Sequence, residues 1–294
     1  MVLILTDNSE PYIRLPAPHS HIILTPPRLV EAREEKDNVE KSPPESDINT
    51  AVSALNDKRV YLKLESTPYP YMREHAIAFA RQGHADTQRI LQQQQQQGEW
   101  FDGCPFRDIR DTSSPSSSFL DAGDADIEHQ EIAQATKIGD LLLHHYPFYE
   151  LPVDSPERKT AQEKNAALPA GHEDLIWGIG FWLLPTYHGK GIMSAVLKAV
   201  IEDWAIPKMN MRVLKSSAYV GNEASVGVFR KCGFMHEATI EKGSAVLSES
   251  RGGGKRDIHV LRWERKADGH QDNTILMCRR RHTKIIQNKH STRK

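Results

Sequence analysis

The spacing of apolar positions changes in the middle of the chain, between residues 177 and 234. A continuous apolar run at residues 177–184 predicts a buried strand. From Ile192 to Trp204 apolar residues recur every three or four positions, which predicts an amphipathic helix with one buried stripe. The intervening residues 187–191 contain two glycines and predict a turn. This region is therefore predicted to fold as a strand, a glycine turn and a helix.

A second strand and a second helix follow directly. Residues 211–220 predict the strand, and Asn222 is placed to cap the helix because its side chain can accept a hydrogen bond from a first-turn amide. Gly233 provides a stop signal for this helix. Outside this region the pattern predicts strands at residues 21–25, 60–64, 106–109, 137–143, 237–241 and 257–263, and helices at 46–56 and from 69 to beyond 79.

Polar segments separate these elements. Residues 111–118 are rich in serine and predict an unfolded loop, whereas the glutamine run at 92–97 is compatible with a longer helix or a loop. Residues 152–174 and 244–255 predict two further polar excursions. Without these segments, the chain has about the size of a single domain.

The predicted glycine turn has the chemistry of an anion site. The first amides of a helix have no partner within the helix, and the helix dipole is positive at that end. Gly189 and Gly191 lack a Cβ, so a phosphate group can approach the backbone closely, and Lys190 adds a positive charge. Glycine turns also occur for purely geometric reasons, so the turn alone leaves phosphate binding open.

The order of the glycine turn and the Asn222 cap resembles the GNAT superfamily of acyl-CoA-dependent N-acetyltransferases. In that superfamily a Gln/Arg-x-x-Gly-x-Gly/Ala pattern wraps the coenzyme A pyrophosphate, and a later Asn meets the pantetheine arm. Here the pattern falls on residues 188–193: Gly191 keeps the essential glycine, while His188 and Met193 depart from it. The resemblance implies coenzyme contacts from the strand end, the turn, the helix start and the later cap: Leu183, Leu184, His188, Gly189, Lys190, Gly191, Ile192, Met193, Ser194 and Asn222.

The N-terminal half resembles the RimJ/RimL-type branch of the same superfamily. That branch shows a Thr-x-Arg-Leu strand end, an Asn-Asp pair and a Pro-Tyr-Pro-Tyr-like helix start, which are similar to Thr25-Pro-Pro-Arg28-Leu29, Asn56-Asp57 and Pro68-Tyr69-Pro70-Tyr71. The resemblance implies an α/β fold: a single GNAT-like domain whose mixed central sheet is splayed at the acyl-CoA site, with helices on both faces and disordered insertions. The expected divisions are an N-terminal extension (1–19), the N-acetyltransferase domain (20–266) with insertions near 92–125, 144–174 and 243–255, and a basic disordered tail (267–294).

The resemblance also implies the reaction. An amine would attack acetyl-CoA directly in a ternary complex, with an oxyanion-binding amide from a bulge in the central strand near residues 182–184. Many members donate a proton to the leaving thiolate from a Tyr seven positions after the Asn, but Phe229 occupies that position here. RimL-like relatives use a Ser near the same place, which makes Ser225 the candidate proton donor. The base and the acceptor, whether a protein N-terminus, a lysine or a small-molecule amine, stay open.

Composition adds limits to this interpretation. The chain has 294 residues, 38% of them hydrophobic, a mean hydropathy of -0.56 and no apolar run of membrane-spanning length. Three widely spaced cysteines argue against a disulfide scaffold, so a cytoplasmic enzyme is expected, with no metal and no membrane partner. The net charge of -1 gives no general attraction to nucleic acid. Only the basic tail, which has Arg279–Arg281, leaves nucleic acid binding or a nuclear address open.

Two alternative interpretations remain. A non-catalytic interaction protein with a decayed coenzyme site would explain the departures at His188, Met193 and Phe229. A dinucleotide-binding protein is weaker, because Ser194 occupies the third glycine position of that fingerprint. The pair His144-His145 has the composition of a metal site, but adjacent strand residues point to opposite faces, so a solvent or loop feature is expected.

Overall fold

A computed structural model describes residues 4–5, 10–31, 41–97, 99–113 and 130–266 of the chain. Chain contacts define one unit spanning Met1–Glu264 and a second spanning Arg265–Lys294. The basic tail and most of the serine-rich loop lie outside the described residues. The predictions made for them therefore stay predictions.

Strands make one large mixed sheet. In the described part of the chain its order is β1-β2-β3-β6-β7-β8-β9-β11-β10, and β4 and β5 form a separate two-stranded sheet. Neighbouring strands are antiparallel except for β8 and β9. The strands are β1 Ile4–Leu5, β2 Pro11–Arg14, β3 Ile22–Thr25, β4 Val30–Glu31, β5 Lys41–Ser42, β6 Asp108–Asp111, β7 Thr136–His145, β8 Ile176–Leu183, β9 Val213–Tyr219, β10 Met235–Ile240 and β11 Ile258–Glu264.

Helices connect these strands. They are α1 Glu45–Leu55, α2 Lys58–Tyr61, α3 Arg73–Gln97, α4 Pro156–Ala166, α5 Ile192–Ala199, α6 Ile206–Met209 and α7 Glu223–Lys231. A wide turn over Val200–Ala205 joins α5 to α6. No helix in the described ranges is both long enough and apolar enough to cross a membrane.

Alternation along β8 places the helices on two faces of the sheet. Leu183 belongs to the main hydrophobic core, together with Val196 of α5 and Phe229 of α7. Its neighbour Trp182 packs instead against a second apolar cluster that contains Ile48 of α1. Successive strand residues point to opposite faces, so these contacts confirm the predicted mixed α/β sheet with helices on both sides.

Residues 60–64 were predicted to form a strand, and this prediction is wrong. Asp57 caps a short helix, α2, by accepting a hydrogen bond from the amide of Arg59 at 2.8 Å. Val60 and Tyr61 are both buried, which an amphipathic strand would not allow for adjacent residues. The local cap therefore overrides the alternating sequence pattern.

Several segments predicted to lie outside the regular fold contribute to it. Strand β2, within the expected N-terminal extension, pairs with β3 and buries Tyr12 and Ile13. The polar segment at 152–174 contains α4, and the glutamine run, for which a longer helix and a loop were both left open, continues α3. His144 and His145, expected in a loop, are the last residues of β7.

Candidate active site

A cavity of about 710 Å³ extends from the glycine turn to α1, α2 and residues 63–68. It lies between β8 and β9, which pair only over Ile176–Gly178 and Val213–Lys215. Beyond Gly178 the two strands have no register, and the hydroxyl of Ser216 donates to the carbonyl of Ile179 at 2.7 Å. The strands thus form a fork, with Ser216 bridging its apex.

The fork does not arise from the expected bulge in β8. Strand β8 pairs with β7 without interruption from Trp177 to Leu183, and no register shift occurs between them. The fork opens because β9 loses its pairing with β8 while it continues to pair with β11. The predicted opening is present, but its predicted cause is wrong.

The β7–β8 ladder decides which amides face the fork. The amide of Leu184 donates to the carbonyl of Ile138 at 2.8 Å, and Leu184 does not line the cavity. Antiparallel ladders alternate their direction of bonding, so the amides of Phe181 and Leu183 point away from β7 into the fork. Of the two predicted strand residues, Leu183 therefore has an amide available to a ligand, whereas that of Leu184 is already bonded.

The glycine turn leads into α5 with positive φ angles. Gly189 has φ +75° and Gly191 has φ +79°, which non-glycine residues rarely adopt. The first amide bonded back to the turn is that of Ala195, which donates to the carbonyl of Gly191 at 3.1 Å. The preceding amides of Ile192, Met193 and Ser194 are the orphan donors of the helix start.

Side chains around this turn have different roles. His188 lines the cavity and donates from Nε2 to the carbonyl of Leu183 at 2.9 Å, which ties the turn to the end of β8. Lys190 is exposed and does not line the cavity; its Nζ lies 5.2 Å from the ring centroid of Tyr187. Ile192 and Met193 are buried in the core, so only their backbone is suited to bind an anion.

Asn222 and Ser225 form the start of α7 beside the fork. The Asn222 side chain accepts from the amide of Ser225 and donates from Nδ2 to the Ser225 hydroxyl at 2.9 Å. The predicted cap is confirmed. Within the described ranges, no acceptor is recorded for the hydroxyl proton of Ser225, and both residues line the cavity. Ser225 can therefore donate a proton towards the cavity.

Phe229 lies one turn further along α7 and is buried. Its ring centroid is 5.3 Å from that of Phe181 and 5.0 Å from that of Phe234. The side chain that replaces the usual Tyr thus completes an aromatic cluster under the fork.

A buried charge cluster at the other end of the cavity was missed by sequence analysis. Lys137 Nζ lies 2.5 Å from Asp108 Oδ1 and 3.3 Å from Asp140 Oδ2. Arg110 contacts Asp108 at 2.7 Å and Asp47 at 2.5 Å. Three carboxylates against two cations leave one negative charge when all are ionised. The signal was present as charged residues inside the strands predicted at 106–109 and 137–143.

Burial and pairing act in opposite directions within this cluster. Desolvation would raise the pKa of Asp108, but Lys137 and Arg110 outweigh it and hold the pKa below 3.8. Desolvation raises the pKa of Asp140 above 3.8, because Lys137 offsets it only partly. Asp47, Asp108 and Asp140 thus place carboxylate groups at this end of the cavity.

The segment at 244–256 closes one wall of the cavity, beside residues 63–68. Arg251 is buried, and its guanidinium donates to the carbonyls of Tyr61, Leu64, Glu65 and Thr67. Arg256 donates to the carbonyl of Leu62 at 2.8 Å, and the amide of Ala245 donates to Glu65 Oε1 at 2.5 Å. This predicted polar excursion therefore holds residues 61–67 in place beside the cavity.

We expect Arg251→Met to loosen this wall without changing the glycine turn. Hydrogen bonds from a charged donor contribute about 1.5–3 kcal/mol each, but bonds that share one guanidinium are not additive, so unfolding free energy should fall by roughly 2–4 kcal/mol. Urea unfolding measures this loss. Arg212→Met is the matched control, since Arg212 is exposed and its contact with Glu173 is long, at 3.8 Å. Equal stability of the two variants would contradict the role of Arg251 in holding this wall in place.

Comparison with known protein families assigns this architecture. The family model described as an acetyltransferase (GNAT) domain matches residues 43–235. The chain belongs to the GNAT acetyltransferase family. The resemblance inferred from the sequence is thereby confirmed, and the enzyme class is N-acetyltransferase. Among curated proteins, none matches this GNAT sequence significantly.

Solved structures share the GNAT fold. RimL, a ribosomal L7/L12 α-N-protein acetyltransferase, has a TM-score of 0.50 at 15% identity, covering 90% of this chain and 100% of RimL. The ribosomal-protein-S5-alanine acetyltransferase of Vibrio fischeri has a TM-score of 0.44 at 15% identity, covering 83% and 93%. Spermidine N-acetyltransferase of Vibrio cholerae scores 0.41 at 11% identity, covering 83% and 96%. At this identity the likeness to RimL concerns the fold alone.

The described ranges contain no group of three or more His, Cys, Asp or Glu residues arranged to hold a metal ion. His144 and His145 do not form a pair, because they point to opposite faces of β7. A nuclear address in the basic tail has no support from the comparisons.

Proposed function

We propose that this GNAT chain transfers an acetyl group from acetyl-CoA to a primary amine by direct attack in a ternary complex. The observation that carries this proposal is the continuous cavity, which joins the glycine turn to the carboxylate cluster through the fork. An anion at one end and an ammonium at the other would bring the thioester and the amine together inside the fork. The acceptor is a protein or small molecule that carries such an amine.

The turn has space for the coenzyme pyrophosphate. Among the described residues, a Cβ on Gly189 would meet nothing within 4 Å, and one on Gly191 would approach only His19, at 3.6 Å. The orphan amides of α5 and the helix dipole supply donors and a positive potential in the same place. Gly189, Gly191 and the amides of residues 192–194 would therefore hold the pyrophosphate.

The fork supplies the groups that the reaction needs. The amides of Phe181 and Leu183 point towards the position of the thioester and can bind the oxyanion that forms on its carbonyl. After the ammonium has released one proton to solvent, the neutral amine nitrogen forms a bond to the carbonyl carbon while the bond to sulfur breaks. Ser225 would then give its hydroxyl proton to the departing thiolate.

A combined binding and turnover experiment tests the proposal. Acetyl-CoA at about a thousand times its dissociation constant should stabilise the protein by about 4 kcal/mol, which raises the unfolding midpoint by several degrees. Release of free thiol is then measured with spermidine, with an acetyl-blocked lysine peptide and with a peptide that has a free N-terminal serine. Stabilisation together with thiol release supports the proposal. Absence of both would instead favour the non-catalytic interaction protein.

We expect Ser225→Ala to lower kcat by about 10- to 100-fold, because a positioned general acid is lost. The KM for acetyl-CoA should stay within a few fold, since the turn is unchanged. Ser225→Cys keeps a proton on the side chain and should retain part of the activity. Unchanged turnover of Ser225→Ala at saturating acetyl-CoA would remove Ser225 from the mechanism.

A further inference from the structure

The imidazole of His144 lies in the cavity beside the apex of the fork. His144 is opposite Gly178 in the β7–β8 ladder, and Gly178 is the last residue of β8 that pairs with β9. A Cβ on Gly178 would lie 2.6 Å from Cε1 of His144, so the ring rests directly on the glycine. His145 points to the other face, where its ring contacts Trp177. Only His144 of this pair lines the cavity.

A backbone carbonyl fixes the tautomer of this ring. Nδ1 of His144 lies 2.9 Å from the carbonyl oxygen of His145. A carbonyl only accepts hydrogen bonds, so Nδ1 carries the proton and Nε2 keeps its lone pair in the neutral ring. No hydrogen bond to Nε2 is recorded from the part of the chain that the structure describes. Nε2 is therefore the ring nitrogen that can accept a proton.

The surroundings keep this imidazole neutral. Desolvation lowers the pKa of His144 below 6.5, and the charge of His145 acts in the same direction, whereas the bond to the carbonyl opposes them. Glu65 and Tyr149 line the cavity as well, and among the residues that the structure describes no ion pair joins Glu65 to His144. The neutral form therefore dominates at pH 7, ready to accept a proton.

Asp140 is the competing base on the same face of β7. Its carboxylate is paired with Lys137 at 3.3 Å, so a proton on Asp140 would weaken a buried ion pair. Proton uptake by His144 breaks no ion pair. This difference favours the imidazole of His144 over the carboxylate of Asp140 as the base.

We propose that Nε2 of His144 is the general base that removes the proton from the acceptor amine, directly or through one water. This inference rests on the proposed acetyl transfer. As the nitrogen–carbon bond forms and the carbon–sulfur bond breaks, the amine proton passes to Nε2 and the thiolate takes a proton from Ser225. Exchange with solvent then returns a proton from the imidazolium to Ser225, so the overall products are the acetylated amine and the free thiol.

His144→Asn tests this role with little change in shape. The Asn amide can still donate to the carbonyl of His145, but the variant has no basic nitrogen. We expect kcat to fall by about 100-fold or more, as is typical for loss of a general base. The measurement uses whichever of the three acceptor probes gives the highest turnover with the unaltered protein. The KM for acetyl-CoA and the thermal shift that it causes should be unchanged.

His145→Gln is the matched control, because it removes the neighbouring imidazole from the opposite face and should keep most of the activity. In the unaltered protein, the pH profile of kcat should have an acidic limb, in which kcat falls with a midpoint below pH 6.5. This limb should be absent in His144→Asn. His144→Ala should regain activity when free imidazole is added.

The outcomes separate this inference from the proposed function. If the unaltered protein acetylates no amine, the proposed function and this inference both fail. If it is active, and His144→Asn keeps its kcat and its acidic limb while imidazole does not change His144→Ala, only the assignment of His144 is overturned.

Discussion

Replacing Gly191 with glutamate should remove the stabilisation that acetyl-CoA gives to this GNAT chain. Gly191 has φ +79°, so any side chain strains the turn. The new carboxylate would also lie beside the unpaired amides of α5, where the coenzyme pyrophosphate is proposed to bind. We expect coenzyme binding to weaken at least about 100-fold, which would reduce a stabilisation of about 4 kcal/mol to under about 1.5 kcal/mol. Thermal unfolding with and without millimolar acetyl-CoA measures both values.

Gly254→Glu controls for strain and charge at a distance from the turn. Gly254 also has a positive φ of +66°, and a Cβ there would meet nothing within 4 Å. This variant should keep the full shift with acetyl-CoA. If Gly191→Glu keeps it too, the pyrophosphate does not bind at this turn.

Replacing Arg110 with methionine should cause the largest loss of stability among the variants considered. The change removes the charge that pairs with both Asp47 and Asp108, which are themselves buried. Breaking a buried ion pair from one side typically costs about 3–5 kcal/mol, because a carboxylate is left uncompensated. Urea unfolding at pH 7 measures this difference.

Arg59→Met is the matched control for this prediction. Arg59 also forms a forked contact, with Asp57, but its side chain is 66% exposed. An exposed pair contributes about 0–1 kcal/mol, so this variant should unfold almost like the unaltered protein. Similar losses in the two variants would show that burial does not determine the contribution of the pair.

The same cluster gives the stability a dependence on pH. Desolvation is outweighed by Lys137 and Arg110, so the pKa of Asp108 lies below 3.8 in the folded protein. A lowered folded pKa adds stability that is present above pH 3.8 and is lost as the pH falls through the folded value. The penalty of Arg110→Met should shrink over the same acidic range, because protonation neutralises the carboxylates left unpaired.

Local signals predicted the elements around the glycine turn well. The strand, the glycine turn, α5 and the Asn222 cap depend on contacts between residues close in sequence, so spacing and residue type were sufficient. Asn56 and Tyr71, from two of the branch motifs, exchange hydrogen bonds at 2.7 Å and 2.9 Å. The motifs thus mark a structural contact that their order alone did not show.

The charge cluster and the position of His144 could not be predicted in the same way. Arg110 and Asp47 are 63 positions apart, and only the sheet and α1 bring them together. His144 differs from His145 in access to the cavity because of strand register, which sequence spacing does not fix. Predictions failed where segments distant in sequence meet. The strand predicted at residues 60–64 was wrong for a local reason, because the Asp57 cap starts the helix α2 there.

The contacts of Arg251 also have a consequence for the order in which the site forms. The fork, the glycine turn and α7 lie within residues 176–231, whereas Arg251 joins to carbonyls up to 190 positions earlier in the chain. Closing so long a loop carries a large entropic cost. Arg251 and β11, the strand that holds β9 at the fork, both lie near the end of the described chain, so neither the cavity wall nor the fork can be complete until that part has been synthesised.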